Sequence, residues 1–289
     1  MQTILGYGGA IGKPLATALA DHTDHVRCVA RTQRPLPRQV GTHYEFHAAD
    51  LLDPTAARRA IAGSEIVYLI VGLPYRTAVW QRDWPQLMEN VITGCTAANA
   101  RLVFLDNVYA LDPEYYDGMA EDAPLAPTSE KGKVRKKVLE QLTAADLPTL
   151  ITRAADFRGD DIENSLYEEL IVKRLADGKA AQWLGDPDLV HSFTHTPTAA
   201  RALATLGNDP PAYGQTWNLP TDPERLTIRQ HVARVAERLG VPPKIQVLPR
   251  PLWWLLSRFN ADLRELYDVR AQVDRDYWMD AGKYFTHYG

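Results

Sequence analysis

Residues 6–12 place four glycines in seven positions, Gly6-Tyr7-Gly8-Gly9-Ala10-Ile11-Gly12, directly behind the short apolar run Gln2 to Leu5. Leu15, Ala16, Leu19 and Ala20 then recur at helical spacing. A strand, a glycine turn and a helix in that order bring backbone N–H groups and a helix N-terminus up to a pyrophosphate. The spacing that fits is Gly6, Gly9 and Gly12, three apart; the usual dinucleotide pattern needs glycine at position 11, which is Ile. Gly6, Gly9 and Gly12 are the candidate pyrophosphate-binding residues.

The rest of the first half alternates strand-like and helix-like segments. His25 to Ala30 and His43 to His47 read as the second and third strands. Asp53-Pro54 supplies an N-cap with proline at the first helical position, opening a helix through Ala62. Ile66 to Val71 is a continuous apolar run, the pattern of a strand buried on both faces. A helix over Trp80 to Ala98, a strand over Arg101 to Leu105, a helix over Lys131 to Ala145 and a strand over Thr149 to Thr152 complete the series. This rhythm predicts an α/β fold: a Rossmann-type doubly wound parallel sheet over residues 1–153.

Past Arg153 the rhythm changes. Ser165 to Asp177 and Pro197 to Leu206 read as helices, and Gln215 to Leu219 as a strand returning to the sheet. Thr227 to Leu239 is an amphipathic helix closed by Gly240 and Pro242-Pro243. Five of the seven tryptophans lie in this half. Residues 154–289 are expected to form a smaller C-terminal lobe that mainly binds substrate, with segments near 189–219 returning to the core. Trp253, Trp254 and Phe259 suit an apolar substrate pocket, the core of a small lobe or a dimer contact.

Composition removes several classes of function. A formal net charge of -4 lacks the basic footprint of a nucleic-acid binder. No stretch approaches the ~20 apolar residues of a membrane span. With a strand starting at residue 2, no signal peptide is expected, and the cytoplasm is the expected compartment. Cys28 and Cys95 sit in apolar periodic segments and suggest neither a disulfide framework nor a zinc site.

The end of the second strand distinguishes the two nicotinamide dinucleotides. An acidic residue there would bind the ribose hydroxyls of NAD, but the chain has Ala30-Arg31 with Arg34 close by. A guanidinium fork binds oxyanions bidentately, so Arg31 suits a 2′-phosphate and NADP(H) is expected over NAD(H). A solvated strand-end charge is the alternative reading of Arg31.

Gly6-x-x-Gly9-x-x-Gly12, Arg31 and Ala49-Asp50-Leu51-Leu52-Asp53 together resemble the extended and atypical short-chain dehydrogenase/reductase families, which include NAD-dependent epimerase/dehydratase and NmrA-like proteins. Asp106-Asn107-Val108-Tyr109, Arg153-Ala154-Ala155-Asp156-Phe157, His191-Ser192-Phe193-Thr194 and Trp217-Asn218-Leu219-Pro220 match as well, so the resemblance spans nearly the whole chain. It implies that Asp50 and Leu51 lie against the adenine, with loop capping as the plainer role of Asp50. It also implies a Tyr-x-x-x-Lys pair as the proton relay, and none of the 13 tyrosines has Lys four positions later. Aligned on Lys136 and Glu140, Gly132 occupies the tyrosine position, as in a subset of atypical members. The usual strand-end serine is replaced by Asp106-Asn107-Val108.

Tyr109, just past the fifth strand, is the candidate substitute proton donor, with Lys136 or Lys133 to lower its pKa. Packing at the sheet edge is the alternative for this ring. The basic run Lys131 to Lys137 otherwise reads as a solvated helix face. His191 and His195 would share one face of a strand, but no third ligand accompanies them, and no metal is expected. The expected function is an NADP(H)-binding oxidoreductase acting on a small carbonyl or alcohol by hydride transfer. A non-catalytic NADP-responsive binding protein and an NAD-dependent sugar-nucleotide epimerase or dehydratase are the alternatives. The expected partner is a small-molecule substrate rather than nucleic acid or membrane; homodimer and monomer both fit.

Overall fold

A computed structural model describes residues 1–159, 162 and 165–289. The main chain builds β1 (Gln2–Leu5), α1 (Gly12–Leu19), β2 (His25–Ala30), β3 (His43–Ala48), α2 (Pro54–Ile61), β4 (Ile66–Leu69), α3 (Thr77–Ala98) and β5 (Arg101–Asp106). There follow β6 (Asp117–Met119), α4 (Glu130–Ala144), β7 (Thr149–Arg153), β8 (Asp156–Arg158), α5 (Lys173–Ala176), β9 (Ala181–Leu184), β10 (Phe193–His195), α6 (Thr196–Asn208) and β11 (Thr216–Asn218). The chain ends with α7 (Ile228–Leu239), β12 (Ile245–Leu248), α8 (Arg250–Ser257), α9 (Ala261–Asp268), β13 (Trp278–Met279) and α10 (Gly282–Tyr288).

Seven parallel strands form one sheet in the order β11-β7-β5-β4-β1-β2-β3. The fold is Rossmann-type. Alternation along each strand sorts the apolar side chains between two layers. Ile4, Tyr68, Val103 and Leu150 face α1 and α6. Leu5, Leu69, Leu102 and Phe104 face α2, α3 and α4. Strand order reverses between β1 and β4, which opens the crevice at their C-terminal ends where ligands bind in such sheets.

The expected boundaries hold to within a few residues for most core elements, and the differences have local causes. The strand expected to reach Val71 stops at Leu69, where the backbone of Ile70 and Val71 passes the glycine turn. A Cβ on Gly6 (φ +100°) would sit 2.7 Å from Val71 Cα. The helix expected over Ser165 to Asp177 contains a π-helical turn at Glu168–Val172 before α5. His191 makes only an isolated bridge to Tyr277, outside the three-residue β10, so it does not share a strand with His195. α7 ends at the expected stop, Gly240 at φ +68°, and a capping box of Thr227 and Gln230 opens it.

β11 takes the sheet edge beside β7. α10 covers that edge: Lys283 Nζ lies 4.0 Å from the Trp217 ring centroid and donates to Thr216 O, and the His287 and Tyr288 rings pack edge-on against Trp217. A covered edge presents no template for strand addition. Cys28 and Cys95 are free and buried, and burial pushes both thiols up to about 12. Among the described residues no helix is long and apolar enough to cross a membrane.

His231 on α7 is buried against the Tyr167 and Phe193 rings, where its Nε2 meets His191 O at 3.1 Å. Burial lowers its pKa to about 4. The unfolded chain binds a proton there near 6.5 and the folded chain does not, so stability drains as pH falls from about 6.5 to about 4, by about 3 kcal/mol. Replacing His231→Leu should flatten this acid limb in urea unfolding series across pH. An unchanged slope would remove His231 as its source.

Candidate functional site

The glycine turn is held from below. Gly6 N and Tyr7 N both donate to Val29 O, and Tyr7 Oη donates to Pro35 O at 2.6 Å, which ties the turn to the loop after β2. Gly12 lies beneath the turn, where an added Cβ would stand 2.1 Å from Tyr7 O. Gly6, Gly8, Gly9, Ala10 and Ile11 line a cavity of about 990 Å³; Gly12 does not. Gly12 therefore serves close helix–strand packing rather than a ligand-facing surface. The Gly8, Ala10 and Ile11 amides find no acceptor among the described residues, at the entry to α1. This is the donor set that a pyrophosphate requires.

Arg31, Thr32 and Arg34 line the same end of the cavity. Both arginines are exposed, and among the described residues neither forms an ion pair. Asp50 and Leu51 line it opposite. Asp50 Oδ1 accepts from Leu52 N, the turn-capping contact, while Leu51 is buried and its carbonyl accepts from Asn90 Nδ2.

At the other end the expected pair of Tyr109 and Lys136 is not assembled. Tyr109 does line the cavity, stacked on Trp80 at 5.9 Å, its hydroxyl 3.0 Å from that of Tyr75. Lys136 lies on the outer face of α4, beside Lys133, Lys137 and Glu140. The inner face instead presents Lys131 and Arg135, four residues apart and one position earlier in register. Gly132 is packed under Tyr109 O, 2.2 Å from where a Cβ would be, so the ring that a tyrosine needs has no room there.

Both inward cations are committed. Arg135 Nε donates to Asp106 Oδ1 at 2.7 Å and Nη2 to the same oxygen; the pair is essentially sealed from solvent. The guanidinium stacks on Trp84 and Phe104, 4.4 and 4.7 Å from the ring centroids. Lys131 Nζ, fully buried, donates to Glu265 Oε2, Glu265 O and Thr77 Oγ1 and sits over the Tyr75 ring. Burial works against the Glu265 carboxylate, but hydrogen bonds from Lys131 and Thr77 hold its pKa below the ordinary range. Asp268 accepts from the first two amides of α4, Glu130 N and Lys131 N. Helix α9 thus caps α3 and α4 together.

Burial, followed by the charge of Asp156, pushes the Tyr109 phenol above its ordinary pKa; the Tyr75 hydrogen bond and Arg135 pull back only partly. Such a phenol stays protonated and can donate, and Arg135 rather than Lys136 is the cation that bears on it. Asp156, seen in the sequence only as part of a matching segment, lines the cavity with its carboxylate on His191 Nε2 at 2.9 Å. Trp253 is buried against the cavity, whereas Trp254 and Phe259 point outward. Away from the cavity, possible metal-ligand atoms of His25, His43 and Glu45 lie within 4.8 Å of one another. Arg27 Nε already occupies Glu45 Oε1 at 2.6 Å, and no local spacing in the sequence announces this trio.

Residues 3–219 match the model of the NAD dependent epimerase/dehydratase family, and the chain belongs to that family. The dTDP-glucose 4,6-dehydratase DesIV of Streptomyces venezuelae, solved with NAD, is 17% identical with a TM-score of 0.74, over 98% of this chain and 89% of that one. UDP-glucose 4-epimerase of Thermus thermophilus, also solved with NAD, is 16% identical at TM-score 0.74, over 99% and 93%. UDP-N-acetylglucosamine 4-epimerase of Bacillus cereus is 12% identical at TM-score 0.72, over 98% and 87%. No curated protein matches the chain in sequence.

Truncating Arg135→Met leaves Asp106 charged and buried, and Asp106 Oδ2 already has no hydrogen-bond partner in the protein. The expected loss in chemical denaturation is about 3–5 kcal/mol. Lys136→Met should cost no more than the ~0.5 kcal/mol of an ordinary surface change. Equal losses would contradict the register assigned to α4.

Proposed function

We propose that the protein is a nicotinamide-dinucleotide-dependent oxidoreductase acting on a small carbonyl or alcohol substrate, with NADP(H) as its preferred coenzyme. The observation that carries this reading is the pairing of unpartnered Gly8, Ala10 and Ile11 amides with the unpaired guanidinium groups of Arg31 and Arg34 along one cavity wall. The amides and the α1 N-terminus would hold the pyrophosphate, with Gly6, Gly9 and Gly12 giving the turn its close approach. Arg31, assisted by Arg34, would hold a 2′-phosphate, and Asp50 and Leu51 would flank the adenine. Family membership and the NAD bound in similar structures support the coenzyme class; the two arginines support the phosphorylated form.

When bound, the coenzyme supplies hydride chemistry at the nicotinamide. The chain's part is to bind, orient and provide a proton. Tyr109 is the proposed donor to the substrate oxygen, oriented by Tyr75 and Trp80 and kept protonated by burial. The committed Lys131 and Arg135 favour a second reading, a coenzyme-binding protein without turnover. The epimerase or dehydratase chemistry named for similar structures finds less support, because the lysine over Tyr75, Lys131, is already bonded to Glu265.

Titration with NADPH and NADH separates these readings. NADPH should bind tighter by about ten-fold, and Arg31→Ala should remove that preference, which is the scale of one charge-assisted contact. Equal binding of the two coenzymes would overturn the phosphate assignment. In a carbonyl screen, Tyr109→Phe should lower kcat by about 10²-fold or more with coenzyme affinity unchanged. NADPH binding without oxidation by any carbonyl would favour the second reading, and interconversion of a nucleotide-sugar the third.

A further inference from the structure

The deep end of the cavity carries an unusual balance of groups. Its walls there are aromatic: Tyr75, Trp80, Tyr109, Phe157, Trp253 and Tyr277 all line it. Among them stands the carboxylate of Asp156, with a side chain 23% exposed. His191 Nε2 holds Oδ2, and no hydrogen bond reaches Oδ1 among the described residues. His191 is itself fixed, stacked on Tyr277 at 4.4 Å, with its carbonyl bound to His231 Nε2. The carboxylate is therefore positioned, and one oxygen is left toward the cavity.

The other charges at this end are spoken for. Asp106 is bonded to Arg135, and Lys131 to Glu265 with Asp268 beside it. Asp83 is bonded to Arg82. Arg270 lies over the Tyr267 ring, donates to Tyr267 O and faces Asp274. None of these cations is bonded to Asp156. Burial raises the pKa of the surrounding phenols Tyr75, Tyr109 and Tyr277, and the charge of Asp156 pushes in the same direction.

We infer that Asp156 and its aromatic surround form a subsite for a small organic cation, a protonated amine with an apolar body. Ring faces attract cations through their quadrupole, and a carboxylate oxygen free to accept an N⁺–H completes the recognition. An anionic ligand would meet Asp156 with no uncommitted cation beside it among the described residues; a neutral one would leave the open oxygen without an N⁺–H donor. The inference deepens the oxidoreductase reading by naming the substrate class, and rests on it only for that word: as a binding site it stands without the coenzyme.

The test uses the full chain without coenzyme, titrated with 2-phenylethylamine, the neutral 2-phenylethanol and the anionic 3-phenylpropanoate, followed by tryptophan fluorescence and calorimetry. The amine is expected to bind about ten-fold tighter than the alcohol, and the carboxylate more weakly than both. Asp156→Asn should bring amine and alcohol together while leaving NADPH and NADH affinity unchanged. An alcohol bound as tightly as the amine, an amine that fails to bind at millimolar concentration, or a preference that survives Asp156→Asn overturns the inference. Should the variant misfold, the amine-to-alcohol ratio of the wild-type chain still decides. Coenzyme titration in parallel keeps the two proposals apart: amine preference without coenzyme binding would sink the oxidoreductase reading and leave the subsite.

Discussion

Helix α4 is placed by two buried cations on one face, and the cavity takes its shape from where they go. Arg135 reaches the end of β5 and locks to Asp106 between two aromatic rings. Lys131 reaches the other way, to Glu265 on α9 and Thr77 at the start of α3. Burying a cation costs several kcal/mol unless its partners are close and its donors are filled, so each contact constrains the next. The sheet, two helices and the C-terminal hairpin of α8 and α9 are thus joined through α4. Remove the pairing and β5, α3 and α9 lose their common anchor on α4.

This arrangement also explains why the usual tyrosine–lysine relay has no counterpart. In that relay a lysine must stand free beside a phenol to lower its pKa. Here the cation nearest Tyr109 already neutralises Asp106, and the cation over Tyr75 already serves Glu265. Burial then dominates the phenols, and every tyrosine around the deep cavity is pushed toward its protonated form. A protonated phenol is a hydrogen-bond donor and a weak acid. It is suited to meeting a substrate oxygen and unsuited to abstracting a proton from one.

Much of the sheet was legible because its signals are local. A glycine turn after four residues of strand, an Asp-Pro helix start and a run of apolar residues at 66–71 each depend on near neighbours only. The face of α4 is legible too. Val134, Val138, Leu139 and Leu142 define the buried stripe, and a helix that buries them turns Lys131 and Arg135 inward and Lys136 out. Anchoring the helix on Lys136 and Glu140 alone overrode that stripe by one residue. What sequence spacing could not supply is contact between distant segments. Asp156 meets His191 across 35 residues and Lys131 meets Glu265 across 134, and neither partner has a local mark.

The placement of Asp156 follows from the same economy of charge. A carboxylate just after β7 lies at the C-terminal edge of the sheet, where the crevice is deepest in apolar side chains. Left alone among ring faces it would be costly to keep ionised. His191 offsets part of that cost by holding one oxygen, and its own ring is fixed by stacking on Tyr277. The remaining oxygen and the aromatic walls then act together, because both favour positive charge and neither favours negative. Had the pocket been built for a diphosphate, a free guanidinium would be expected where Asp156 stands. Arg31 and Arg34, exposed and without an ion pair among the described residues, lie instead beside the glycine turn. The lining thus differs along the sheet, with unpartnered turn amides and two arginines beside β1 and β2 and Asp156 among aromatic rings beside β7.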